Sequence, residues 1–153
     1  MTVAVACDHA GIDLKPHVLE VLKELGMECL DLGTNSHESV DYPVYGAKAA
    51  QAVASGQCDR GIVLCGTGVG ISMAASKVRG IRCVVCSEPY SAAMSRQHND
   101  ANMLALGARV VGSELAKMIV RTWLTTPFEG ERHARRVGQI MDIEASEGQN
   151  GAK

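Results

Sequence analysis

The chain has 153 residues, of which 46% are hydrophobic, 21% charged and 3% aromatic, enough to bury one core and too few for two domains. Fifteen Lys and Arg against 17 Asp and Glu leave a formal charge of -2, which excludes both a basic nucleic-acid surface and an acidic solvating tail. One Trp, three Tyr and one Phe are too few for a platform that stacks single-stranded bases.

The amino-terminal run MTVAVACDHAG carries no positive lead and places Asp8 among its apolar residues, so it is expected to belong to the fold and not to a secretory signal. Cysteines 7, 29, 58, 65, 83 and 86 are then expected to be reduced, in a cytoplasmic protein. No apolar stretch approaches the roughly 20 residues of a membrane-spanning helix, so no membrane partner is expected.

Thr2–Cys7 reads as the first strand. Leu14, Val18, Val21, Leu22 and Leu25 form one helical stripe, with Pro16 in the first turn and Gly26 as the stop. Met27–Leu32 is a second strand, and Tyr42-Pro43 opens an Ala-rich helix that Gly56 ends. Gly61–Cys65 is a third strand, apolar throughout as buried parallel strands are. Gly66–Gly70 leads into a helix to about Val78, Ile81–Cys86 is a fourth strand, and Pro89–Arg96 a short helix. Met103–Val111, interrupted by Gly107, is the fifth strand. Ser113 is placed to cap a helix whose stripe is Leu115, Met118, Ile119, Thr122 and Trp123. A last helix is expected from about Glu131 to Ala145, closing a single domain over residues 1–145, with a polar, frayed tail over 146–153.

Strands alternating with helices predict an α/β fold, a five-stranded parallel sheet covered on both faces as a three-layer αβα sandwich. Ligands in such folds collect at the carboxyl ends of the strands. There the sequence places Asp8-His9, then Cys65 with the glycine loop, then Ser87-Glu88. Gly66, Gly68 and Gly70 let a ligand approach the backbone, whose N–H groups at a helix start favour an anion. The loop is not a P-loop, and Ile71 breaks the dinucleotide fingerprint. A thiol at a helix start, such as Cys65, is available as a base or nucleophile. The other five cysteines are expected to be small buried hydrophobes. Cys83 and Cys86, three apart on a strand, point to opposite faces, and no metal site is expected. His98 could carry protons near neutral pH, and Arg132 and Arg136, four apart on a helix, could grip one phosphate.

Six ordered blocks carry a resemblance: Asp8–Gly11, Asp41–Pro43, Cys65–Ser72, Cys86–Tyr90, Ser95–Asp100 and Gly107–Gly112. Over about residues 2 to 145 the chain resembles the ribose-5-phosphate isomerase B family. The resemblance implies a Rossmann-like fold, no metal or organic cofactor, and a homodimer, or a tetramer of such pairs, with active sites shared between subunits. It implies that Cys65 removes the C2 proton, Thr67 and the backbone of Gly66, Gly68, Val69 and Gly70 hold the enediolate, and His98 opens the furanose ring. Asp8 would bind sugar hydroxyls and assist the ring oxygen, Tyr42 and Asn99 would line the pocket, and His9, Arg109, Arg132 and Arg136 would hold the phosphate. Members that use a glutamate base have it where this chain has Ile71, so the resemblance is to the cysteine branch. Isomerisation of allose 6-phosphate or galactose 6-phosphate, or a sugar-phosphate-sensing role without turnover, are the alternatives.

Overall fold

The computed structural model describes residues 1–150, with side chains through residue 147. In chain order the elements are β1 (Thr2–Cys7), α1 (Lys15–Glu24), β2 (Glu28–Asp31), α2 (Tyr42–Ala54), β3 (Arg60–Cys65), α3 (Val69–Ala75), β4 (Cys83–Val85), α4 (Pro89–Gln97), β5 (Met103–Gly107), α5 (Ser113–Thr125) and α6 (Glu131–Asn150). All strand pairs are parallel, in the order β2-β1-β3-β5-β4. The expected five-stranded parallel α/β sandwich is what forms.

The two cores follow from the two-residue period of a strand. Val3, Val5, Ile62, Leu64, Leu104 and Leu106 face α1 and α5, where Val18, Leu22, Ile119 and Trp123 complete one core. Ala4, Ala6, Val63, Met103 and Ala105 face the other way, against Ala49, Ala50 and Val53 of α2 and Ile71 of α3. One face is therefore packed with large aliphatic side chains and the other is a seam of alanines, where helix and sheet approach closely. Cys83 and Cys86 lie on opposite faces, as their spacing requires.

Several boundaries differ from the sequence expectation. β5 stops at Gly107, and residues 108–110 form a turn in place of more strand. β4 is only Cys83–Val85. Gly112, not Ser113, is the cap residue of α5, and Ser113 is its first helical residue. The buried stripe of α5 is Ala116, Ile119, Val120, Trp123 and Leu124, while Leu115 and Met118 are exposed. The helix is thus turned by part of a turn from the expected face, because Ala116 and Val120 fit the space above the sheet. α6 passes Ala145 and runs to Asn150, so residues 146–150 of the tail expected over 146–153 are helical, and 151–153 lie outside the described residues. Cys29 is exposed on the edge strand β2, contrary to the expected burial. Among the described residues, no helix is long and apolar enough to cross a membrane.

After β1 the chain turns one way to β2, then crosses back to place β3 on the other side of β1. That reversal opens a crevice at the carboxyl ends of β1 and β3, the position where parallel sheets take their ligands.

Candidate active site

A cavity of about 270 Å³ occupies this crevice, lined by Asp8, His9, Ala10, Tyr42, Cys65, Gly66, Thr67, Gly70 and Arg109. Asp8 follows β1 directly, and its Oδ1 accepts from the Ala10 and Gly11 amides at 2.9 and 3.0 Å, which closes the loop that carries His9. The Val40 N–H donates to His9 Nδ1 at 3.1 Å. A backbone amide can only donate, so Nδ1 is the acceptor and the ring proton sits on Nε2, free to donate to an anion. The segment that carries Val40 is itself held by Lys15, whose buried Nζ reaches Asp31 at 2.9 Å, the Thr34 carbonyl at 3.0 Å and Asn35 at 2.7 Å.

Cys65 ends β3 and is only 5% exposed, yet it borders the cavity. Its Sγ accepts the Gly68 N–H at 3.1 Å. An amide donor at a helix start stabilises negative charge on the acceptor. Burial pushes other interior thiols up, Cys7 and Cys86 to about 11 and Cys83 to about 12. Cys65 differs from them in bordering the cavity.

Two glycines are required by geometry. Gly68 has φ 79°, a left-handed conformation that admits few other residues. At Gly70 a Cβ would fall 2.7 Å from Tyr42 Cζ, so the bare backbone is what lets the tyrosine ring lie over the loop. Of the loop amides, Gly68 is engaged with Cys65 and Val69 with the Thr67 hydroxyl at 3.3 Å. Arg109, in the turn after β5, packs its guanidinium against Gly66, and its amide donates to the Gly66 carbonyl at 3.0 Å.

The remaining expected residues lie elsewhere. His98, Asn99, Arg132 and Arg136 do not line this cavity. α4 leaves the carboxyl end of β4 and returns to the start of β5, so His98 at its end stands at the amino edge of the sheet. The bonds there agree. Arg82, just before β4, donates to the Asn99 and Asp100 carbonyls, and the Asn102 carbonyl accepts from Gly61 at the start of β3. β3 runs six residues from that edge to Cys65, roughly 17–20 Å.

His98 is not alone at this edge. Its ring stacks on His133 of α6 with centroids 4.3 Å apart and planes 10° from parallel. His133 is buried, and its Nε2 lies 3.4 Å from a Glu129 carboxylate oxygen without hydrogen-bond geometry. Burial, then the charges of His98, Arg132 and Arg136, hold its imidazolium below the ordinary histidine range, and Glu129 pulls back only partly. Two non-glycine residues with left-handed backbone, Asp100 (φ 45°) and Glu131 (φ 46°), flank the pair. His133 and Glu129 belong to no motif and were missed in the sequence, where the one signal is a histidine enclosed by Arg132 and Arg136. Ligand atoms of His98, Glu129 and His133 lie within 4.8 Å of one another, a spacing that a metal ion could use. Nearly parallel rings hold their lone pairs in separate planes, so one imidazole must turn before both reach one ion.

Fold and site together define a doubly wound α/β protein with a thiol, His9 and Arg109 around a cavity at one end of its sheet and a stacked pair of histidines at the other. Residues 3–140 match the model of the Ribose/Galactose Isomerase family, and the chain belongs to that family. It is 58% identical to ribose-5-phosphate isomerase B of Escherichia coli (strain K12) over 142 residues, 93% of this chain and 95% of that protein. The structure of ribose-5-phosphate isomerase B from Clostridium thermocellum superposes with TM-score 0.93 at 57% identity, covering 95% of this chain and 99% of the other. That of the Mycoplasma genitalium isomerase B with bound ribulose 5-phosphate gives TM-score 0.89 at 38% identity, over 94% and 96%.

Proposed function

We propose that this chain is an aldose–ketose isomerase that interconverts D-ribose 5-phosphate and D-ribulose 5-phosphate, acting in the pentose phosphate pathway and in the cytoplasm, where its six free cysteines stay reduced. The observation that carries the reading is the thiol of Cys65 at the crevice between β1 and β3, in one cavity with the glycine loop, His9 and Arg109.

In this reading the Cys65 thiolate takes the C2 proton of the open-chain aldose. The electrons of that C–H bond form the C1=C2 double bond, and the negative charge rests on an enediolate oxygen held by Thr67 and free loop amides. The O2 hydroxyl proton passes to O1, and Cys65 returns its proton to C1, leaving the ketone at C2. Asp8 and Tyr42 bind sugar hydroxyls at this end of the sheet. The His9 Nε2–H and Arg109 take the phosphate.

His98, Asn99, Arg132 and Arg136 enter from a second copy of the chain. One chain holds its two groups of site residues at opposite ends of a rigid sheet, so the amino edge of one copy must meet the carboxyl end of another. A two-fold pairing does this twice and makes two equivalent sites. There His98 gives a proton to the furanose ring oxygen as the C1–O bond of the ring breaks and the anomeric hydroxyl releases its proton to water, and Asn99 contacts the sugar. Arg132 and Arg136, on one face of α6, close on the phosphate.

The test is a coupled isomerase assay with ribose 5-phosphate and allose 6-phosphate in parallel. A higher kcat/KM for the five-carbon sugar supports the reading. A higher value for the six-carbon sugar moves the enzyme to the longer substrate, and no turnover of either leaves a sugar-phosphate sensor.

A further inference from the structure

The amino-edge cluster contains a residue that no sugar needs to touch. His133 is 5% exposed and lies face to face with His98, ring centroids 4.3 Å apart. His98 is the cap residue at the end of α4 and is only partly covered. Among the described residues its ring makes no hydrogen bond, and its aromatic contact is the stack on His133.

His133 itself is well held. Its amide donates to the Gly130 carbonyl at 2.9 Å, and the Glu129 amide donates to the Gln97 carbonyl at 3.1 Å, which ties the turn before α6 to the residue preceding His98. Gly130 and Glu131 both adopt left-handed backbone in that turn. Strained backbone persists where its surroundings over-determine it.

We propose that His133 is a positioning residue that holds the His98 imidazole in the plane from which it exchanges a proton with the furanose ring oxygen. Proton transfer runs along a lone pair in the plane of the ring, so a ring free to rotate spends little time aimed at its target. A flat neighbour removes that rotation and leaves the ring edge open. Burial disfavours charge on His133, so the face it offers is neutral and does not oppose a proton on His98. The inference rests on the ring-opening role proposed for His98.

The experiment is a double-mutant cycle in the full chain, with kcat and KM for ribose 5-phosphate measured on His133→Ala, His133→Phe, His98→Asn and the His98→Asn/His133→Ala pair. Thermal melts select folded samples. His133→Ala is expected to lower kcat roughly 10- to 100-fold with KM little changed, the scale of a misplaced catalytic group. His133→Phe restores the flat neighbour and most of the rate, and it keeps the test open if the alanine variant does not fold. In the His98→Asn background the alanine change should cost nothing more, because the residue acts through His98. A full additional loss in that background overturns the proposal, as does a raised KM with kcat intact, which would mean that His133 serves the phosphate arginines. If His98→Asn alone leaves kcat unchanged, the ring-opening role fails and the positioning role with it.

Discussion

Two inactive variants should make an active enzyme. Cys65→Ala disables the carboxyl end of the sheet and His98→Asn the amino edge, about 17–20 Å away within one chain. If each active site takes one end from each of two copies, equal amounts of the variants, unfolded and refolded together, give about one half mixed pairs. In a mixed pair one site receives both defects and the other receives none. About one quarter of all sites are then intact, so the mixture should show roughly 25% of wild-type activity, against a background near zero for each variant refolded alone. The readout is the coupled assay with ribose 5-phosphate, with differently tagged chains to count mixed pairs. Activity that stays at background while mixed pairs are present would refute the division of the site between copies.

Cys65→Ser should lower kcat by roughly 10²–10⁴-fold, the usual reach of general base catalysis, while inorganic phosphate still binds in calorimetry. Retained turnover would move the base elsewhere. Gly70→Ala places a methyl group 2.7 Å from Tyr42 Cζ. Because the tyrosine is exposed, its ring swings away at little cost to stability, and the lost sugar contact, about 1 kcal/mol, should raise KM about fivefold. An unchanged KM would take Tyr42 out of the pocket. Folding keeps His133 neutral, so the unfolded chain binds more protons near and below pH 6.5, and stability should fall as pH drops through that range. Urea unfolding at several pH values should show a shallower fall in His133→Phe, and an identical slope would show that His133 does not contribute.

The half of the site at the carboxyl ends of the strands was legible residue by residue. Asp8, His9, Cys65 and the glycine loop follow strands directly, and a strand's end is a local property of the chain. The separation of His98 from Cys65 was legible only in principle. Cys65 ends a strand and His98 ends the helix after another, so the two must lie at opposite ends of a parallel sheet. Motif blocks, taken in order, suggest one pocket and conceal that separation. His133 and Glu129 escaped because stacking across α4 and α6 depends on how the last helix docks, and no periodicity encodes that. The α5 stripe was misread for a related reason. Leu115 and Met118 have the right spacing, and Ala116 and Val120 have the right size for the space above the sheet.

The alanine seam beneath α2 acts as a spacer. Ala4 and Ala6 on β1 and Ala49 and Ala50 on α2 set how near that helix rides to the sheet, and Tyr42, its first residue, leans over Gly70 at the rim of the cavity. The width of the entrance is therefore governed partly by methyl groups about two turns away. Adding a carbon or two there, as in Ala49→Val, would lift the helix and widen the mouth without altering any residue that meets the sugar. A change in preferred chain length could thus arise from the interior, where a comparison of pocket linings would find nothing.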